Sequence, residues 1–461
     1  MAHTEISSPP RSPPVGGCTG GARRTVPFSP SSSRSSAVNT HRLSIEASAA
    51  ASPELPQDIL MRVFATLEIP DLARAGAVCA SWRSGYITLR DLGKHRQHQT
   101  PCLLYTSESA GDNVACLYSL VEKRVYRLNL PEPPIRSRLI IGSSLGLLVT
   151  VDETAQMHLL DPITGEQTAL PSVTTFEEVK PVYDDSGAVH NYEYSMYARY
   201  DVIFPTHIVT PGFLQHHFHQ KALVFYDDAS TGSYIVVLMH APYGQLSFAR
   251  VGDDEWTSLP LYSAYCDCTY KDGLLYAVAQ KGEIHAFDLR GTAVTKEIIR
   301  GIDRELCFDG NYIVQAAWGG LLLVSREKEY DSEEDPDPEP ELVPNTTGII
   351  LHKIDAGGKR LVKIDCLPDH VLFLGLNNTL CLSAKEYPAL KGNHAYFTDD
   401  DEFNSSHKSC LRDIGVLDLG NNSKEVLVSP QLWPNWPAPV WITPNLTMMK
   451  PTSNNSCLDR I

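Results

Sequence analysis

Three clusters in the 461-residue sequence carry residue types that do chemistry at suggestive spacings. Gly142-Ser-Ser-Leu-Gly146 has the spacing of a nucleophile elbow. Such an elbow needs a strand, a strained turn and then a helix to expose its serine. Here the motif runs into Leu147-Leu-Val-Thr-Val, which reads as a strand, so a hydrolase is not expected. His216-His-Phe-His219 could converge on a metal, since imidazoles two or three residues apart can share one ion. No nearby cysteine or acidic residue completes a closed set, and a surface loop is the expectation. Cys266 and Cys268 fall on one face of a predicted strand and are expected to be packed thiols. No phosphate-binding Gly-x4-Gly-Lys-Ser/Thr, dinucleotide-binding Gly-x-Gly-x-x-Gly or HExxH sequence occurs. The expectation is therefore a chain with no catalytic residue, no cofactor and no metal site.

Composition narrows the classes further. Hydrophobic residue types make up 43% and charged types 20%, and the formal net charge is −16. Mean hydropathy is −0.18 and the pI is near 5.4. Phosphate contacts need clustered Lys and Arg, so a nucleic-acid partner is not expected. No apolar run approaches the ~18 residues of a spanning helix, so no membrane partner is expected either. Eleven scattered cysteines without a Cys-x-x-Cys pair or a secretory leader suit a reduced compartment, the nucleus or cytoplasm.

The elements that could position a site differ along the chain. Residues 1–51 are rich in Ser, Pro and Arg, with Glu5 and Glu46 their only acids. Such a segment cannot offset its ordering entropy and reads as a disordered tail, with an organelle transit peptide as the alternative. Residues 52–95 read as a small helical unit. Ser52 is placed to cap a helix opened by Pro53 or Pro56, and Leu55, Ile59, Leu60, Val63, Phe64 and Leu67 have helical spacing. Pro70-Asp71 opens a second helix through Leu72, Ala75 and Val78; Cys79, Trp82 and Tyr86 fall on a third. A unit of this size is marginal alone, so an apolar face is expected to meet a partner.

From about 100 to 446, short β runs alternate with turn signals. A turn followed by an apolar run begins near Lys221, Gly273, Gly320 and His370, about 50 residues apart, the length of a four-stranded kelch-type blade. The fold class expected is a small all-α unit followed by an all-β propeller of six or seven blades, with a β-sandwich pair as the alternative. Residues 176–210 and 327–345 read as inserted loops, the second disordered and acidic, and 447–461 as a C-terminal tail. Gly76 reads as a weak point in the second helix.

Leu55-Pro-Gln-Asp-Ile-Leu, Val63-Phe, Pro70-Asp-Leu-Ala and Val78-Cys-Ala-Ser-Trp-Arg resemble, in order, an F-box. Ser144-Leu-Gly-Leu-Leu-Val-Thr-Val-Asp-Glu, Leu160-Asp-Pro-Ile-Thr-Gly, Gly392-Asn-His-Ala-Tyr-Phe-Thr-Asp-Asp and Trp436-Pro-Ala-Pro-Val-Trp-Ile-Thr-Pro resemble the plant KIB-type, kelch-like β-propeller. Together the two resemblances cover about 50–446. Leu147 departs from the family, where Trp is frequent. An F-box implies a Skp-type adaptor and, through it, a cullin. By that resemblance Leu55, Pro56, Ile59, Leu60, Val63 and Trp82 are the adaptor-binding candidates, either touching the adaptor or supporting the residues that do. Leu55, Pro56 and Leu60 are favoured for direct contact; Phe64, Leu67, Leu72 and Val78 are favoured for the unit's own core.

The function implied is the substrate-recognition subunit of an SCF-type cullin–RING ubiquitin ligase, non-catalytic in itself, with an unknown protein target on the propeller. The alternative is a non-catalytic scaffold that occludes a partner without ubiquitination. Propeller loops and the mouth of the central channel are the expected recognition surface, with Tyr243, Arg250 and Trp256 as candidates and core packing as the alternative for Trp256.

Overall fold

Leu60 and Phe64 lie one helical turn apart, and both are buried in the computed structural model. The structure describes residues 55–96, 98–195, 206–227, 233–242, 244–260, 263–290, 294–300, 310–332, 342–355, 357, 359–400, 412–427 and 435–446. The expected tails at 1–51 and 447–461, together with Ser52, Pro53 and Tyr243, lie outside them. Among the described residues no helix is long and apolar enough to cross a membrane.

Three helices open the described chain: α1 (Gln57–Phe64), α2 (Ile69–Gly76) and α3 (Ala80–Asp91). Pro56 is the residue that caps α1, and Asp58 and Arg62 complement the dipole at its two ends. Pro70 occupies the first turn of α2, where its missing N–H costs nothing. Gly76 is not a weak point. A Cβ there would lie 2.8 Å from Tyr86 Cγ, so its absence lets α2 and α3 cross closely.

Among the described residues the strands form six blades and one smaller sheet. Blade 1 combines Cys102–Thr106, Val114–Ser119 and Arg124–Asn129 with Val440–Ile442 from the other end of the described chain. Leu104 is registered against Val440 and Cys102 against Ile442, which closes the ring. Blade 2 spans Leu139–Ser144 to Gln167–Ala169, blade 3 His219–Asp227 to Thr257–Ser258, blade 4 Tyr265–Lys271 to Val294–Ile299, and blade 5 Gly310–Gln315 to Arg360–Ile364. Blade 6 has five strands, and His370–Leu374 pairs parallel with His394–Phe397 inside it.

Each junction between neighbouring blades has its own apolar cluster. Leu117 and Leu148 join blades 1 and 2. Val149 and Val224 join 2 and 3, and Val237 and Leu275 join 3 and 4. Ile284 and Ile313 join 4 and 5, Val324 and Leu372 join 5 and 6, and Phe373 and Trp441 join 6 and 1. Every blade is therefore buried on both faces. Runs such as Leu147–Val151 are continuously apolar for that reason, although successive side chains point to opposite faces.

The described parts of the two expected loops include strands. Val179–Tyr183, Val189–Tyr194 and His207–Val209 form a three-stranded sheet between blades 2 and 3, pinned by Tyr192 and Tyr194 to the cluster that holds Phe176 and Phe218. Residues 327–332 and 342–345, the two ends of the second, are strand: Leu321–Ser332 pairs with Leu342–Asp355 in a long hairpin of blade 5. Its backbone ladder runs outward past the core, and Lys328 is anchored to Asp400 at 3.0 Å. The acidic tip, 333–341, lies outside the described residues.

Candidate adaptor-binding face and the seam beneath it

Helix α1 is apolar on two faces. Leu60 is 1% exposed and Phe64 is buried with it, whereas Leu55, Ile59 and Val63 are 49%, 40% and 50% exposed. Spacing by four places Ile59 and Val63 on one stripe of α1, and Leu55 and Pro56, just before the helix, are exposed too. Trp82 is half-buried and meets Phe64 edge to face at 5.4 Å, so it backs the unit rather than crowning it. The candidates thus divide. Leu55, Pro56, Ile59 and Val63 are available to a partner. Leu60 is not, because a residue at i+1 from Ile59 points roughly 100° away, into the core. Val78, expected inside, is 64% exposed in the turn between α2 and α3. Leu67 is half-buried, and Leu72 is buried as expected.

The buried face does not close on itself. Leu60, Phe64, Ile69, Leu72, Tyr86 and Leu89 share one cluster with Leu104, Leu117, Tyr126 and Ile442 of blade 1. Polar groups fix the same seam. Gln99 Oε1 accepts from Ile69 N at 2.7 Å, satisfying an orphan donor at the start of α2. Glu68 pairs with Arg96 at 2.9 Å and accepts from the Thr100 backbone and hydroxyl. Burial raises the Glu68 pKa, opposed by Arg96. The Tyr126 hydroxyl, on blade 1, reaches both Asp71 of α2 and Glu122. Arg74 pairs with Asp71 at 2.9 Å and lies over the Tyr126 ring. This seam was not legible in the sequence; helical spacing marks a buried face but not what buries it.

A second polar constellation lies on the propeller axis. The segment Gly375–Thr379 of blade 6 reaches blades 2, 3 and 4. Asn378 N donates to Ser143 O at 2.7 Å, Lys221 Nζ to Gly375 O at 2.9 Å, and Thr379 Oγ1 to Asp267 Oδ2 at 2.9 Å. Gly375 has φ +146°, and a Cβ there would lie 2.2 Å from Thr398 Oγ1, so glycine is required. Lys221 and Asp267 pair at 2.9 Å, almost fully buried. Burial works against the Lys221 ammonium, but Asp267 and Asp400 outweigh it and hold its pKa up. Arg326 extends the network to Asp400 at 3.2 Å and Asp413 at 2.8 Å. Burial opposes the Asp400 charge, yet Lys328, Arg326 and Lys221 depress its pKa well below the usual range. Each carboxylate faces a cation, the pattern of a structural lock rather than of an acid–base pair.

The remaining motifs resolve simply. Gly142–Gly146 is a hairpin whose turn has Leu145 at φ +56° and Gly146 at φ +85°. Ser144 Oγ accepts from Val224 N at 3.0 Å, and a Cβ at Gly142 would collide with Ala222 O of blade 3. His216 and His217 end a short helix, α4 (Pro211–His217), against Trp436 and Phe213, while His219 is buried and donates from Nδ1 to Leu214 O at 3.0 Å. The surface loop expected for these histidines is therefore a helix end and a buried strand. Cys268 is buried, and Cys266 Sγ contacts the Val278 and Asn311 carbonyls. Among the described residues no three His, Cys, Asp or Glu side chains are placed to hold a metal. Trp256 is core, stacked on Phe176 and donating from Nε1 to Pro171 O, and Arg250 is half-buried with its guanidinium on Leu289 O.

Comparison with known proteins agrees with this architecture. The KIB1-4 β-propeller model matches residues 117–418, and an F-box-like model matches 52–84. F-box protein SKIP23 of Arabidopsis thaliana is 25% identical over 412 residues, 84% of this chain and 95% of that one. F-box protein At5g25290 from the same plant is 24% identical, covering 79% and 90%, and F-box/kelch-repeat protein At1g57790 is 22% identical, covering 51% and 55%. The solved β-propeller domain of Cps50 (Swd1) from Myceliophteria thermophila aligns at a TM-score of 0.27, too low to carry an argument. An F-box marks a non-catalytic adaptor rather than an enzyme. The chain belongs to the KIB1-4 β-propeller family, as a plant F-box protein with its propeller behind the F-box.

Proposed function

We propose that the chain is the substrate-recognition subunit of an SCF-type cullin–RING ubiquitin ligase. The observation that carries this is the exposed apolar surface formed by Ile59 and Val63 of α1 with Leu55 just before it, beside a helix face already buried on blade 1. An apolar helix face left in water is the signature of a partner site. In this reading that surface and Pro56 take a Skp-type adaptor and through it a cullin, while Leu60 and Trp82 support them from below. The propeller takes a protein target and holds its lysines at high effective concentration near the conjugating enzyme. In this reading the reaction takes place in the nucleus or cytoplasm.

Co-purification with a Skp-type adaptor and cullin tests the reading. Wild type should recover both; a Leu55→Asp, Val63→Asp variant should recover neither while melting at the same temperature. Absence of capture by the folded wild type would sink the proposal and leave the occluding scaffold. Helix deletion is not a usable control, because it would uncover Leu104 and Leu117 of blade 1.

A further inference from the structure

We propose that the end of the propeller channel beneath the F-box is a binding site for a small neutral molecule bearing an amide-like set of hydrogen-bonding groups. A cavity of about 210 Å³ lies there. Ile69 of α2 and Gln99 bound it on the F-box side; Asn377, Asn378, Leu382 and Trp441 bound it on the propeller side. Its floor is the Gly375–Thr379 segment, held by Ser143, Lys221 and Asp267, so a ligand would meet a rigid surface rather than an open channel. The volume is below the ~300 Å³ at which drug-sized pockets begin, so the occupant is small.

Unmatched polar atoms define its chemistry. Among the described residues, no partner lies within hydrogen-bond reach of Trp441 Nε1, Asn377 Oδ1 or Asn378 Oδ1. Trp441 is 1% exposed and Asn377 2%. The amide orientation of Asn377, a lining residue, is fixed, because its Nδ2 donates to Phe373 O at 3.2 Å and Asn378 O at 2.8 Å, leaving the oxygen as the atom without a donor. Leaving buried groups of this kind unpaired costs about 1–3 kcal/mol each. Their complement is one acceptor for the indole N–H and two donors for the carboxamide oxygens, beside an apolar surface for Ile69 and Leu382. The lining holds no carboxylate, lysine or arginine. Burial lowers the His95 pKa and raises that of the Tyr387 phenol, so both titratable rings of the lining are neutral at pH 7 and the ligand should be neutral too. This inference does not depend on the adaptor: the site lies on the buried side of α2, and its ligand would bridge F-box and propeller.

Benzamide carries that set on a small ring and is the probe. Saturation-transfer NMR and calorimetry on the full chain should show benzamide binding. Toluene, with the ring alone, and acetamide, with the amide alone, should each bind at least tenfold more weakly. Trp441→Phe should weaken benzamide at least tenfold, roughly the loss of one buried hydrogen bond. Because Trp441 also packs on Phe373, Leu382→Phe serves as a second variant; it narrows the cavity from its half-exposed rim and should abolish binding in a chain of unchanged melting temperature. Equal affinity for toluene would mean an apolar void, and no binding at millimolar benzamide would mean a cavity for water. Either result overturns the proposal, as would unchanged binding by Leu382→Phe.

Discussion

The Tyr126 hydroxyl of blade 1 lies within hydrogen-bond distance of Asp71 of α2, at 3.0 Å, so the F-box and the propeller are joined by a polar contact as well as by a shared core. The same hydroxyl also reaches Glu122, a second carboxylate on blade 1. Tyr126→Phe keeps the ring in the core and removes only the polar link. A hydrogen bond to a charged group contributes about 1.5–3 kcal/mol, and the partial exposure of Asp71 places this one toward the low end. The variant should fall in stability by about 1–2 kcal/mol and gain faster hydrogen exchange in α2. A change confined to blade 1, with α2 protection unaltered, would show that the contact does not couple the two parts.

Gly76 tests a conflict between propensity and packing. In an exposed helix Ala is better than Gly by about 1 kcal/mol. At this position the added methyl would lie 2.8 Å from Tyr86 Cγ and 2.9 Å from its Cβ, both at the rigid root of the side chain. Gly76→Ala should therefore destabilise, by about 1–3 kcal/mol as in other overpacked contacts. A higher melting temperature would show that α2 and α3 can part at no cost.

What the sequence made legible follows from which forces are local. Helical spacing identified α1 and placed Phe64 and Leu72 inside correctly, because a buried face is a local pattern. It could not separate Leu60 from Leu55 and Ile59, since α1 has two apolar faces and only the structure shows which meets blade 1. Val78 looked like core because it is apolar, but it sits in a turn. The repeat length of about 50 residues led to six or seven blades, and the described residues, closed into a ring by Val440–Ile442, form six. The axial network escaped entirely: Lys221, Asp267, Asp400 and Arg326 are remote in sequence and meet only through the ring.

That network supplies a third prediction. Lys221 and Asp267 are 8% and 0% exposed at 2.9 Å, and the same carboxylate holds Ile313 N and Thr379 Oγ1. Asp267→Asn leaves a buried ammonium facing a neutral amide and should cost about 3–5 kcal/mol. Lys221→Met in the same chain removes the stranded charge, so the double variant should recover part of the loss. Chemical unfolding of the four chains of this cycle gives the coupling. Additive losses would mean the pair is not a unit.

Acid sensitivity should come from the histidines around Phe218. Burial pushes the pKa of His219 and of His240 down to about 4 from 6.5, and the two repel when charged. The Phe218 ring lies against both, and Phe176 against His240. In the folded state both stay neutral well below the pH at which the unfolded chain takes up protons. Between pH 6.5 and 4 the unfolded state therefore binds more protons, and stability falls as pH falls. Each histidine contributes a slope of up to about 1.4 kcal/mol per pH unit in that window. His95, His158, His285 and His352, whose pKa values burial also lowers, add to it. Asp161, pushed up to about 6 by burial, acts in the opposite sense and offsets part of the slope. Unfolding free energy measured from pH 7.5 to 5 should decline steadily below 6.5. His240→Gln should lower stability at pH 7.5, where it loses ring packing, yet flatten the decline below 6.5. A parallel, undiminished decline in the variant would assign the sensitivity to the other groups.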